Sequence, residues 1–187
     1  MDAPRFLTDH FLIALPTLAD PNFSRAVTLI CQHTEEGAMG LTVNRASEYR
    51  LGDVLEQMKI GTRLQALAES PVLLGGPVQP ERGFVLHEPC GDWESSFQVS
   101  AGLCVTTSRD VLAALARGEG PTRAVVTLGY AGWVEGQLEQ ELAENAWLTV
   151  ASSSQIIFET PLEQRWAASA RLMGVEVGLL TDYSGHA

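Results

Sequence analysis

The sequence predicts a mixed α/β fold of the α+β kind, on three observations. Short apolar runs rich in β-branched residues alternate with stretches whose apolar residues recur at helical spacing. Glycine and proline, at 17 and 9 positions, punctuate those runs. Hydrophobic residues make up 45% of the 187-residue chain against 19% charged, enough to bury a core and too apolar for a disordered polymer. The size suits one domain over residues 1–187, with two intimately packed lobes meeting near residue 100 as the other division.

Phe11 to Leu15 reads as a strand stopped by Pro16, and Asp20-Pro21-Asn22-Phe23-Ser24 supplies turn chemistry. Val27 to His33 is a second strand, with Thr28, Ile30 and Gln32 on one face and Val27, Leu29, Cys31 and His33 on the other. Thr34-Glu35-Glu36-Gly37 turns it into a third strand, Met39 to Val43, as a hairpin. Leu51, Val54, Leu55 and Met58 mark a short amphipathic helix. Strands follow at Val72 to Leu74, Gly83 to His87 and Phe97 to Val99, separated by Gly75-Gly76-Pro77 and an irregular stretch around Cys90-Gly91-Asp92-Trp93.

Thr107 and Asp110 form a capping box for a helix running to about Arg117, which buries Val111, Leu112 and Leu115 and stops at Gly118. Arg123 to Leu128 is a strand that Gly129-Tyr130-Ala131-Gly132 breaks, and Trp133, Leu138 and Leu142 suggest a helix. Trp147 to Val150 is a strand again. Thr160 as N-cap, Pro161 at the first helical position and Glu163 at the third open a last helix ended by Gly174.

Twelve basic against 23 acidic side chains give a formal charge of −11, and the arginines are scattered singly. Such a field repels polyphosphates and anionic membranes, so direct nucleic-acid binding is a poor expectation. Asp9 and His10 interrupt the apolar stretch at the N-terminus, and no run approaches the roughly 20 apolar residues of a membrane span. The three cysteines, Cys31, Cys90 and Cys104, are odd in number and widely spaced, which points to a reduced, cytoplasmic protein.

Residue chemistry offers few complete sets. Cys31 and His33 lie two apart on a strand, where an imidazole lowers a neighbouring thiol's pKa, although a strand cysteine between apolar neighbours packs as a small hydrophobe. His87, Glu88 and Cys90 would need Cys104 and His33 to complete a zinc set, and no Cys-x-x-Cys or His-Glu-x-x-His spacing occurs, so no metal is expected. Gly75-Gly76-Pro77-Val78 and Gly129-Tyr130-Ala131-Gly132-Trp133 allow close backbone approach, as tight turns or as ligand-contacting loops, but neither is a phosphate signature. Ser152-Ser153-Ser154 reads as a polar turn or cap, Glu135, Glu139 and Glu141 as a solvated helix face, and the four tryptophans as packing anchors.

Phe11-Leu12-Ile13-Ala14-Leu15-Pro16, Asp20-Pro21-Asn22-Phe23, the Val27 to His33 strand and Gly40-Leu41-Thr42-Val43-Asn44-Arg45 resemble the bacterial AlgH/YqgE family. So do the two glycine segments, Gln137-Leu138 with Glu141, and the closing Gly185-His186-Ala187, so the resemblance covers essentially the whole chain. It implies a mixed, bifurcated sheet folded toward a pseudo-barrel with helices outside. It also implies a cytosolic protein of unresolved biochemical role, whose family name is tied to a proposed regulatory role in alginate production. Its motifs fall here on Pro16, Asn22, Phe23, His33, Gly40, Asn44, Gly75, Gly76, Pro77, Gly129, Gly132 and Trp133, and carry no catalytic role to transfer.

The functional expectation is a regulatory or interaction domain that binds a protein or small ligand without a cofactor. Asn22, Asn44, Gly75, Gly76, Gly129, Gly132 and Trp133 are its candidate contacts. The alternative is a thiol-dependent or hydrolytic enzyme built on Cys31 and His33, and a nucleic-acid-binding regulator comes third.

Overall fold

The computed structural model describes residues 6–15 and 25–174. Pro16, the Asp20 to Ser24 turn with Asn22 and Phe23, and everything from Val175 to Ala187 lie outside the described residues. The first strands are β1 (His10–Ala14), β2 (Val27–Thr34), β3 (Gly37–Thr42) and β4 (Ala46–Arg50), followed by helix α1 (Leu51–Gln57) and the single turn α2 (Gln65–Ala68). Next come β5 (Pro71–Leu74), β6 (Val78–Glu88), β7 (Ser96–Ser100), β8 (Leu103–Thr106) and helix α3 (Arg109–Ala116). The remainder is β9 (Arg123–Val134), α4 (Gln137–Ala143), β10 (Trp147–Ala151), α5 (Ser154–Phe158), a 3-10 turn at Leu162–Gln164 and α6 (Arg165–Leu172).

Among the described residues the strands join in one ten-stranded sheet whose main path runs β10-β1-β2-β3-β9-β6-β8-β7. The sheet forks on β9. Its first half pairs antiparallel with β6 on one edge and, at Thr127 and Leu128, parallel with β5 on the other. Beyond Tyr130 that second edge passes to β3, from Ala131 opposite Gly40 to Val134 opposite Gly37. β5 in turn carries β4. The sheet curls until Phe97 and Val99 of β7 pack with Leu29 and Cys31 of β2, enclosing a core with Phe11, Leu86 and Ile157. This is the mixed, forked, half-closed barrel with outer helices that the resemblance implied.

Two further apolar layers seat the helices. Leu138 of α4 packs with Ile30, Ala131, Trp133 and Trp147, while α1 and α3 lay Leu51, Leu55, Val111 and Leu115 against Val72, Val85 and Val126. Each fully buried Leu or Ile contributes about 1.5–3 kcal/mol relative to exposure.

Several local expectations need correction. Gly129 does not break the strand: with φ at +75° it bends β9, which continues through Trp133, so that tryptophan belongs to the sheet and not to a helix. The cap of α3 is Ser108, whose hydroxyl donates to Asp110 at 2.5 Å, because the Thr107 hydroxyl turns away to Ser95. Thr160 and Pro161 open the 3-10 turn, and α6 starts only at Arg165. Ser153 does cap α5, accepting from the Ile156 amide at 3.3 Å. Short β4, α2 and β8 carried too little periodicity to be read.

Candidate functional site

The Cys31/His33 pairing fails at a β-bulge. Ile30 faces Gly40 and Gln32 faces Met39, so Cys31 is an extra residue and the inward-outward alternation reverses past it. Cys31 points into the barrel core, fully buried, its thiol donating to the Leu29 carbonyl at 3.6 Å. Burial pushes its pKa well above the ordinary thiol range, with a smaller upward push from Asp9 and only partial relief from the Leu41 backbone. A native-state reaction with a thiol-selective reagent at pH 8 is therefore expected to leave Cys31 unmodified until the chain is denatured. Stoichiometric labelling of folded protein would contradict this.

His33 lies on the opposite face, buried, under α4. Its Nδ1 accepts the Leu7 amide at 2.9 Å, which places the ring proton on Nε2, and Nε2–H donates to Glu139 Oε1 at 2.5 Å. Glu139 is held below the usual carboxylate range by its own helix amide first and by His33 after that, against some opposing desolvation. Both ring nitrogens are thus engaged, and the ring's edge-to-face partner is Phe6 at 5.3 Å. The pair fastens α4 to β2 and leaves the imidazole no free lone pair for general-base work.

Glu141 fastens the same helix a second way. Its Oε1 accepts indole N–H bonds from Trp133 at 3.3 Å and Trp147 at 3.0 Å, and its Oε2 accepts from Gln137 at 3.0 Å. Glu141 is therefore half-buried and turned toward the tryptophans, which corrects the solvated face expected of it, while Glu139 holds His33 from an exposed position. The helix is short enough that periodicity could not separate its inner from its outer carboxylates.

Cys90 and Cys104 form a disulfide, which corrects the expectation of three reduced cysteines. Their partnership depends on pairing β6 with β8, which sets Cys104 opposite His87. His87 is itself sealed, its Nδ1–H donating to the Pro89 carbonyl at 2.9 Å and its Nε2 accepting from Thr106 Oγ1 at 2.7 Å. Among the described residues no three His, Cys, Asp or Glu side chains cluster for a metal ion.

Burial pushes the His87 pKa below the ordinary histidine value, with the Pro89 carbonyl pulling partly back. Below about pH 6.5 the unfolded chain takes up a proton at this site that the folded one resists, so stability falls as pH drops, by at most about 1.4 kcal/mol per unit. Urea unfolding between pH 7.5 and 5 is expected to show this slope, and His87→Gln to flatten it. An unchanged slope in that variant would contradict the assignment.

The glycine segments meet one another at the fork. Gly75 N–H donates to the Leu128 carbonyl at 2.7 Å while its own carbonyl accepts from Thr42 at 2.8 Å, so it stitches β9 to β3 where they part. A Cβ on Gly76 would lie 2.1 Å from the Tyr130 carbonyl carbon, and one on Gly129 would lie 2.3 Å from the Gly76 oxygen. Asn44 is likewise occupied, its Oδ1 accepting from the Val27 amide and its Nδ2 donating to the Arg25 carbonyl, both at 2.9 Å. Gly75, Gly76, Gly129 and Asn44 thus hold backbone together, while Gly132 and Trp133 border an open groove of about 660 Å³ floored by Phe84, Phe97 and Tyr130. Asn22 lies outside the described residues.

A better enclosed cleft of about 600 Å³ lies on the other side of the fork. Val54 of α1, Met58 at its C-terminal cap, Leu74 of β5, Val85 of β6 and Val126 and Leu128 of β9 make its apolar floor, and Asp53, Glu81, Thr107 and Arg109 its rim. Arg109 also donates to the Met58 carbonyl at 2.9 Å, fixing the two helices that wall the cleft. The N-terminus of α3 is filled by its own Asp110, which accepts from the amides of Glu94 and Val111. Sequence reading missed this cleft because its residues come from seven separate elements, β4, α1, β5, β6, β8, α3 and β9.

A curled, forked half-barrel with a sealed thiol, a saturated histidine and an apolar-floored cleft defines a class of α+β domain. The AlgH-like family profile, DUF179, matches residues 11–178, and the chain belongs to that family. It is 58% identical over 183 residues to a UPF0301 protein of Stenotrophomonas maltophilia, spanning 98% of this chain and 97% of that one. A UPF0301 protein of Methylococcus capsulatus is 52% identical over 181 residues, 97% of this chain and 96% of its own. The solution structure of the AlgH protein from Pseudomonas aeruginosa matches with a TM-score of 0.81 at 46% identity, covering 100% of this chain and 99% of that one. Protein DIP2367 from Corynebacterium diphtheriae, at 18% identity and TM-score 0.73 over 97% of this chain and 93% of that one, shares the fold. Among the described residues no helix is long and apolar enough to cross a membrane.

Proposed function

We propose that this chain is a non-catalytic binding domain that takes a small, largely apolar ligand or an apolar side chain of a partner protein in the cleft between α1, α3 and the β6/β9 face. The observation that carries the reading is the cleft itself, about 600 Å³ with an apolar floor and a rim of mixed charge. Supporting it, the thiol and imidazole that an enzyme would use face opposite sides of β2, one sealed and one saturated. The regulatory role implied by the family resemblance, with its link to alginate production, would be exercised through occupancy of this cleft. The proposed setting is the cytoplasm, where the Cys90–Cys104 bond would have to hold against cellular thiol reductants.

Titration of isotope-labelled protein with the apolar fluorescent probe anilinonaphthalene sulfonate tests the reading. The expected result is saturable binding that shifts the amides of Val54, Leu74, Val85 and Leu128. Leu74, an exposed lining residue at 45%, supplies the control: Leu74→Glu should leave the fold intact and abolish those shifts. Shifts confined to Phe84, Tyr130 and Trp133 would move the site to the open groove, and no saturable binding would overturn the proposal.

A further inference from the structure

A second, smaller cavity of about 190 Å³ lies behind β5, on the side of that strand away from the cleft, and it is bordered by a buried cation. Leu74 faces the cleft, whereas its neighbour Leu73 lines this cavity with Leu67, Phe158 and Leu162. The cation is Arg165, only 7% exposed. Its Nε donates to the Thr160 carbonyl at 2.7 Å and its Nη1 to the Val43 carbonyl at 2.6 Å. Both partners are neutral, and no carboxylate pairs with Arg165 among the described residues. Nη2 makes no hydrogen bond among the described residues, yet it is not sealed away as an enclosed orphan atom.

A buried guanidinium without a counter-charge is expensive, and burial accordingly lowers the Arg165 pKa. Neutral carbonyls satisfy two donors and leave the charge uncompensated. We propose that the Arg165 cavity binds a short-chain aliphatic monocarboxylate, with the carboxylate on the open edge of the guanidinium and the alkyl chain against Leu67, Leu73, Phe158 and Leu162. A planar carboxylate matches the planar fork of donors. The volume equals about six water-sized groups, which limits the ligand to a few carbons. A phosphate fits poorly: the only hydroxyl in the lining is that of Ser70, and it already donates to the Ala66 carbonyl at 3.0 Å. This site shares only Val126 with the cleft and does not rest on the reading given to it.

Methyl-labelled full-length chain is titrated with straight-chain carboxylates from acetate to hexanoate and with the matching primary alcohols. Expected are saturable shifts of the Leu73 and Leu162 methyls, affinity that rises with chain length until the cavity is full, and alcohols weaker by about tenfold or more. Leu162→Trp, at a half-buried position on the 3-10 turn, fills the cavity without touching the Arg165 bonds and should abolish the Leu73 shifts. Arg165→Lys keeps the charge, loses the fork and should bind about tenfold more weakly; should it fail to fold, the Leu162 variant still decides. Equal affinity for acids and alcohols, undiminished binding to Leu162→Trp, no response at Leu73, or shifts confined to Val54 and Leu74 would each overturn the proposal.

Discussion

Replacing Gly76 by alanine is expected to abolish the folded protein or to lower its unfolding free energy by about 4 kcal/mol or more. The new Cβ would fall 2.1–2.4 Å from the carbonyl carbon and oxygen of Tyr130 and the amide nitrogen of Ala131, all backbone atoms of the strand that forks the sheet. No side chain can rotate away to relieve the overlap, and moving β9 would disturb its ladders to β3, β5 and β6 together. Gly129→Ala should be comparably severe, since it adds a left-handed φ of +75° to a 2.3 Å approach to the Gly76 oxygen. Gly136 provides the contrast: its φ is +77° but nothing lies within 4 Å, so alanine there should cost only about 1–2 kcal/mol. Urea unfolding followed by circular dichroism separates these cases. A Gly76→Ala protein no weaker than Gly136→Ala would show that the fork does not depend on this contact.

Glu141→Ala should destabilise by about 2–4 kcal/mol, because it removes the acceptor that the indole N–H groups of the buried Trp133 and Trp147 share and unties α4 from both strands. Trp133 of β9 and Trp147 of β10 meet edge to face at 6.2 Å although β3, β2 and β1 lie between their strands in the sheet, and the carboxylate bridges them from α4. Glu141→Gln retains an acceptor oxygen and should recover part of the loss. Tryptophan fluorescence reports the same event directly. The exposed Glu144, whose side chain accepts a 3.4 Å bond from Gln140, sets the baseline, and an equal effect of Glu144→Ala would contradict the bridging role.

The strands were readable where apolar runs were long or bounded by turns: β2, the β2–β3 hairpin, β5 and β10 emerge from alternation and punctuation alone. What escaped had a physical reason. The bulge at Cys31 inserts one residue into an otherwise regular pattern, and no side-chain periodicity announces it, so Cys31 and His33 were assigned to one face when they occupy two. Glycine interrupts most strands, yet Gly129 bends one that continues, and its reason is the Gly75-Gly76 backbone some fifty residues earlier. The Cys90–Cys104 bond and both cavities depend on which strands become neighbours, and local spacing carries no such information. Asn44 has the hydrogen-bonding groups its side chain advertises, and in the fold they hold the segment entering β2.

The central claim is that the chain works by binding in its α1/α3 cleft and not by chemistry at Cys31 and His33. A high-resolution structure of protein purified gently from its native host tests it most directly. An organic molecule or peptide side chain is expected to be retained against Val54, Leu74 and Leu128, with Cys31 unmodified in the core. An empty cleft together with a covalent adduct on Cys31 would contradict it.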